Sequence, residues 1–446
     1  MDSLLSRRAL LRGMAGAAGL AVLGRAAARA SDTSLSLLGP GARPYPKLAE
    51  GTDTITQIEH IVVVMMENHS FDCYFGMLGR GDGYTLRHAV PTNACPGPDG
   101  RPVTVHHAAS ACQANFHVSQ SWDASHRSWN GGRNDGFVTA PGNSRDAMAY
   151  WTGADLPFYW SLARTFPLCD RYFSSVMAQT YPNRRFLIAG SAFGLVSDPF
   201  PSPTDPPPRK PPAPSTIFDL LNAHGISWRD YFADLPTPGL FPYVVEDNPG
   251  KCVHLSQFFA DAAAGDLPAV SLVDPESFEA SEENPQDIRS GEYVAYQVIS
   301  AVLNSPAWPK TLLVFTYDEH GGYYDHVPPP RAVRPDDIPP DVAAGDTYGD
   351  LYSYYGFRVP AVVVSPYARR SYVSSVVHDH TSILRLIETK WNLPALSRRD
   401  ANASNLLDSV DFSRPPAFLR PPALVPAPPP SELPACLASD PTGWVP

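Results

Sequence analysis

Four apolar runs mark out the chain: Ile58 to Met66, Ala269 to Asp274, Leu312 to Tyr317 and Ala361 to Ser365. Each is short and rich in β-branched residues, with little polar alternation, the pattern of strands buried on both faces of a largely parallel sheet. Between them lie segments of helical spacing. Asp155 to Phe166 carries an Asp near its start, Pro182 to Gly190 has Pro at its expected first helical position and Gly at its end, and Gly291 to Leu303 is a third. Strands alternating with helices predict an α/β three-layer sandwich with a mostly parallel central sheet. Ser31 to Thr56 reads as a linker, Pro199 to Pro214 as a Pro-rich surface loop, and Arg414 to Pro446 as a Pro-dense tail that wraps the surface or is disordered. One catalytic domain over residues 57–413 is expected, with no internal repeat.

Hydrophilic clusters stand directly beside apolar runs. Glu67-Asn68-His69-Ser70-Phe71-Asp72 follows the first run and Asp318-Glu319-His320-Gly321-Gly322 follows the third. Their acids should therefore emerge at strand ends, where an open parallel sheet places its ligand site. Thr180-Tyr181-Pro182-Asn183-Arg184 puts a hydroxyl just ahead of a helix, whose N-terminal N–H groups and dipole favour phosphate. Glu67, Asn68, Asp318 and Glu319 supply hard oxygen donors, which suit one divalent ion (Ca²⁺, Mg²⁺ or Mn²⁺) better than zinc. With Thr180 as nucleophile, the set suits metal-assisted attack on an anionic ester, above all a phosphate.

Charge and cysteines narrow the setting. Ser6-Arg7-Arg8 precedes an uncharged stretch from Gly13 to Gly24 and the small-residue site Ala28-Arg29-Ala30, so residues 1–30 are expected to be a twin-arginine export signal. The protein would then be secreted, periplasmic or cell-wall associated. That segment holds five Arg and one Asp, net +4, which leaves −15 on the rest of a chain whose formal charge is −11. Such a balance disfavours nucleic acids and anionic membranes, and leaves zwitterionic lipids or small soluble esters as substrates. No later segment resembles a transmembrane helix. Six cysteines follow the signal and allow 15 connectivities; Cys95 with Cys112 is the favoured pair, because it would close a polar, Pro- and Gly-rich excursion.

The same residues carry a resemblance. Glu67 to Asp72 with Tyr74-Phe75-Gly76, then Thr180 to Arg184, Asp318 to Pro328 and His380-Thr381-Ser382-Ile383 resemble, in order, the motifs of the bacterial and plant non-haemolytic phospholipase C and bacterial acid phosphatase family. The resemblance implies an alkaline-phosphatase-like fold, a phosphothreonine intermediate at Thr180, and the Thr180 oxygen as a further metal ligand. It implies His126, in Ser125-His126-Arg127-Ser128-Trp129, as the group contacting the phosphoryl, with His380, just ahead of Thr381 as helix cap, as a second acid–base candidate. Arg184, His320 and Asn284 complete a substrate-binding set. His69, His326 and His378 lie in or near the motifs, with orienting and catalytic roles both open. The Thr180 segment is also similar to the sulfatase signature, but a sulfatase needs an oxidisable Cys or Ser at Thr180. Asn284, in Glu283-Asn284-Pro285, departs from the family's usual Glu-His-Pro; it keeps a hydrogen bond and loses a proton carrier. Phospholipid diesters, phosphate monoesters, and binding without turnover all remain compatible with this set.

Overall fold

The computed structural model describes residues 37–199, 215–277, 280–342, 348, 352–432 and 436. The expected export signal, most of the Pro199 to Pro214 loop and most of the last 14 residues lie outside them. An eight-stranded sheet is built from β1 (His60–Met66), β2 (Leu168–Cys169), β3 (Trp228–Phe232), β4 (Cys252–His254), β5 (Val270–Asp274), β6 (Thr311–Tyr317), β7 (Ala361–Val364) and β8 (Val373–Ser374). Their order is β4-β3-β5-β1-β6-β7-β2-β8. Neighbours from β4 through β6 are parallel; β7 runs antiparallel to both β6 and β2.

Strands β5, β6 and β7 are buried at every position, and β1 at every position but its first, so both faces of the sheet are covered. The principal helices are α1 (Phe71–Phe75), α2 (Trp122–Trp129), α3 (Pro157–Thr165), α4 (Thr180–Ala189), α5 (Ser256–Ala264), α6 (Ile288–Leu303) and α7 (His380–Trp391). Helix α6 packs on β1 and also against α3 and α5, while α4 and α7 pack on each other. No helix of the described residues is long and apolar enough to cross a membrane. Register places Met66 opposite Tyr317, so Glu67 and Asp318 leave adjacent parallel strands side by side.

Several expectations change. The stretch from residue 37 to 56 is a bonded strap rather than a free linker: Thr54 N–H donates to the Lys390 carbonyl at 2.7 Å, and the Lys390 ammonium meets Asp53 at 2.6 Å. For the tail one of the two expected alternatives holds: residues 414 to 432 wrap the surface, with Phe418 buried and its carbonyl accepting the Trp308 indole N–H at 3.0 Å. Helix α4 starts at Thr180, two residues before Pro182, and ends at Gly190 in the left-handed conformation. Helix α7 is capped by Asp379, in a capping box with Ser382, rather than by Thr381. Cys112 pairs with Cys436 instead of Cys95. The excursion that Cys95 was expected to close is held by a hairpin of Ala94–Pro96 on Pro102–Thr104, and the Cys95 thiol is buried and free.

Candidate active site

The C-terminal ends of β1 and β6 form the floor. Asn68 takes a left-handed backbone (φ 68°), which Asn tolerates better than most residues, and turns its amide into the site. Gly321 makes that turn possible: a Cβ there would stand 1.8 Å from the Asn68 carbonyl oxygen. Asp318 Oδ1 accepts the Asn68 N–H at 3.2 Å and the Glu319 N–H at 2.7 Å. Glu319 Oε2 accepts the Gly321 N–H at 2.7 Å.

Arg184, one turn into α4, is the hub behind this floor. Its nitrogens reach Glu67 at 3.2 Å, Asp318 at 3.2 Å and Asp274 at 2.6 Å, and donate to Thr237 at 3.0 Å. Burial would discourage its charge, but the three carboxylates outweigh that and hold it firmly protonated. Its donors are therefore committed to carboxylates rather than held open for an anion. Asp274 ends β5 just as Asp318 follows β6, so the strand-end argument applied to Glu67 and Asp318 could have found it.

Around this hub, negative charge exceeds positive. Burial, then repulsion from Asp318 and its acidic neighbours against the pull of Arg184, pushes Glu67 up to about 8. Burial and the Asp318 charge raise Glu319 strongly, and burial with Asp318 and Asp198 nearby lifts Glu283 to about 7. Two groups stay unsatisfied although fully enclosed. Among the described residues, neither atom of the Asn68 amide makes a well-formed hydrogen bond, its one polar neighbour being the Glu283 carboxylate, whose pKa its approach helps hold down, and Glu319 Oε1 has no partner. Orphaned hard oxygens amid uncompensated carboxylates are what a divalent cation satisfies, so Glu67, Asn68, Asp318 and Glu319 fit the expected ion.

The tightest group of possible ligand atoms among the described residues lies elsewhere, in Asp72, Asp325 and His326, within 4.8 Å of one another. That cluster already holds its cation. The Arg358 guanidinium meets Asp72 and Asp325 at 2.9 Å each and lies over the Phe71 ring.

Thr180 is half-buried at the first position of α4. The N–H groups of Thr180 and Tyr181 are taken by the Asp198 carboxylate, the latter at 2.7 Å, so the helix N-terminus that was expected to face phosphate carries a protein carboxylate. Burial raises Asp198 to about 7. Nothing in its local sequence marks Asp198 as part of this site.

The histidines divide by how they are held. His380 has both ring nitrogens engaged: Nε2–H donates to the Asp318 carbonyl at 2.6 Å and Nδ1 faces the Tyr172 hydroxyl at 3.3 Å. Burial lowers its pKa, so it is a neutral brace for the Asp318 backbone. His320 lies against Phe357 with Nδ1 3.3 Å from Glu319, and burial lowers it to about 3. On α2, the His126 ring stacks on Tyr348, and Nδ1 donates to the Trp122 carbonyl at 2.7 Å. That bond assigns the proton to Nδ1 and the lone pair to Nε2. Just ahead of α2, Gln120 donates to Glu283 at 3.2 Å, tying this helix to the rim. His69 is sandwiched between Tyr74 and Tyr323.

A cleft opens beside Glu67 and Arg184, lined further by Asp234, Leu235, Asp274, Glu276, Glu283 and Asn284. Asn284 thus shares a wall with two residues of the floor and hub.

The phosphoesterase family model matches residues 58–394. Phospholipase C A of Mycobacterium tuberculosis is 30% identical over 469 residues, covering 94% of this chain and 87% of its own. Non-specific phospholipase C6 of Arabidopsis thaliana is 30% identical over 383 residues, covering 79% and 72%. Among solved structures, a protein in the alkaline phosphatase superfamily from Vibrio parahaemolyticus aligns over 84% of this chain and 73% of its own, with a TM-score of 0.40 and 8% identity. With its motifs spread over most of the matched span, the chain belongs to the phosphoesterase family and is a phosphoric ester hydrolase.

Proposed function

We propose that the protein is an exported phospholipase C-type enzyme that hydrolyses a phospholipid phosphodiester through a phosphothreonine at Thr180. The observation that carries this reading is the unsatisfied donor set of Asn68 and Glu319 at the strand ends, in the floor on which Arg184 of α4 also bears. Relatives named as phospholipases C in a bacterium and a plant support the substrate class.

Glu67, Asn68, Asp318, Glu319 and the Thr180 hydroxyl would hold one divalent ion, which when bound lowers the hydroxyl pKa and offsets phosphoryl charge. Thr180 Oγ1 attacks phosphorus, the bond from phosphorus to the glycerol oxygen breaks, and diacylglycerol leaves with a proton. Water then attacks the phosphothreonine, the bond from phosphorus to Thr180 Oγ1 breaks, and the phosphorylated headgroup departs while Thr180 recovers its proton. His126 Nε2 carries the lone pair suited to that proton traffic. Arg184 and His380 act as braces, the first on the carboxylates of Glu67 and Asp318, the second on the Asp318 backbone. Asn284 supplies a neutral hydrogen bond at the rim.

Purified protein given phosphatidylcholine should release phosphocholine and diacylglycerol, and Thr180→Val should lower turnover by on the order of 10³-fold or more while keeping the fold. Release of inorganic phosphate from monoesters, with no attack on the diester, would move the assignment to an acid phosphatase. Substantial turnover by Thr180→Val would exclude the covalent route.

A further inference from the structure

Behind the cleft wall lies a buried carboxylate that no step above uses. Glu282 is fully enclosed, next in sequence to Glu283 and Asn284, and points away from the cleft. Its Oε2 accepts the Tyr74 hydroxyl at 2.6 Å and the Tyr317 hydroxyl at 2.8 Å, and its Oε1 accepts the Tyr159 hydroxyl. The three tyrosines come from three places that the site depends on. Tyr74 is on α1, directly after the Glu67-Asn68 motif; Tyr317 is the last residue of β6, immediately before Asp318; Tyr159 is on α3.

The backbone at this point is gripped as well. The Glu282 N–H donates to Glu276 at 2.7 Å, and its carbonyl accepts the Gln113 amide at 2.6 Å. Glycine at 291 leaves room for the side chain, since a Cβ there would stand 2.2 Å from Glu282 Cγ. The neighbouring Glu292 accepts the Phe158 N–H at 2.8 Å and the Tyr159 N–H at 3.0 Å, fixing the start of α3 and with it the Tyr159 hydroxyl. Three hydroxyl donors converge on one enclosed carboxyl group, a buried network in which each hydrogen bond polarises the next and losing one strands a polar group away from water.

We infer that Glu282 is a positioning residue that locks the cleft wall of residues 281–287 in register with the floor formed by Glu67, Asn68, Asp318 and Glu319. A wall joined to the floor through its own tyrosines cannot shift without breaking those bonds. Glu283 and Asn284 therefore meet the substrate at a fixed distance from Thr180. The catalytic consequence rests on the phosphodiesterase reading; the mechanical one does not.

The test uses full-length protein carrying Glu282→Gln, Tyr317→Phe, or both, with two readouts. Amide hydrogen exchange over residues 281–287 needs no substrate: Glu282→Gln should speed it at least 10-fold while β1 and β6 exchange as in the wild type. In phosphodiester hydrolysis, kcat should fall about 10-fold with KM within twofold, and the double variant should lose no more than Glu282→Gln alone. Tyr317→Phe guards against a variant that fails to fold, since it removes one hydroxyl and little volume. Wild-type exchange over 281–287 in a folded Glu282→Gln protein would overturn the inference, as would additive losses in the double variant. If exchange changes but neither protein cleaves the diester, the lock stands and the phospholipase reading falls.

Discussion

The segment that runs from Asp318 to Pro328 buries a pair of acids' worth of charge at each end, and the two ends meet it differently. At one end, Asp72 and Asp325 share the Arg358 guanidinium and the His326 imidazole, and Arg358 also donates to the Asp82 and Asp170 carbonyls. At the other, Asp318 and Glu319 face Glu67, Glu283 and Asp198 with Arg184 as the principal counter-charge, and among the described residues Glu319 Oε1 has no partner and the Asn68 amide makes no well-formed hydrogen bond. A closed set of charges is a structural joint. An open set stores a deficit that folding alone does not settle, and a bound cation does.

The comparison breaks if the joints respond alike to mutation. Arg358→Met strands two enclosed carboxylates and should cost about 3–5 kcal/mol of stability. Glu319→Gln should instead stabilise the metal-free protein by about 1 kcal/mol, by removing a repelled charge, while weakening divalent-ion binding. Denaturant unfolding of the two variants in chelator checks both signs; destabilisation by both would erase the distinction.

A pH titration sharpens the contrast. Burial opposes a charge on His326, yet the Asp72 hydrogen bond and the Asp72 and Asp325 charges outweigh it and the nearby Arg358, raising the imidazole to about 9. Asp82, 3.3 Å from Nε2, faces its other side. The folded pKa lies above the ordinary 6.5, so this contribution is complete below about 6.5 and is lost as pH rises through about 9. Stability should fall by about 2–3 kcal/mol across that window, and His326→Gln should flatten the fall. An identical slope in that variant would remove His326 from the account.

The smallest expected effect is at the rim. If a proton carrier at residue 284 is useful, Asn284→His should raise turnover a few-fold and add a pH dependence near 6.5, about the ordinary imidazole value. An unchanged profile on both a diester and a monoester would mean that this position only donates a hydrogen bond.

The sheet and the open end were legible in the sequence, for a physical reason, whereas the Arg358 joint was not. Strands β1, β5, β6 and β7 are covered on both faces and so appear as continuous apolar runs, and the acids that end or follow β1, β5 and β6 stand where those runs open to the site. Strand β3 hid because Trp228-Arg229-Asp230-Tyr231-Phe232 carries an Asp and an Arg; Asp230 is fully enclosed, beside Asp274, and burial with the Asp274 charge raises its pKa strongly. The start of α4 was misplaced by two residues because its cap, Asp198, lies 17 residues after Tyr181 and carries no local signal, whereas Pro182 does. The partner of Cys112 was out of reach for the same reason, 324 residues away in the tail. Arg184 was visible as a motif residue, but its role as hub depends on Asp274, Thr237 and Glu67 converging from separate parts of the chain.

The claim that the Asp318 end is open for a cation is tested most directly by stripping the protein with a chelator and titrating Mg²⁺, Ca²⁺ and Mn²⁺ back while following both thermal unfolding and diester hydrolysis. At least one ion should raise the unfolding midpoint and restore turnover over the same concentration range, with both responses weakened in Glu319→Gln. Full turnover by the metal-free protein, with a midpoint indifferent to all three ions, would contradict the account.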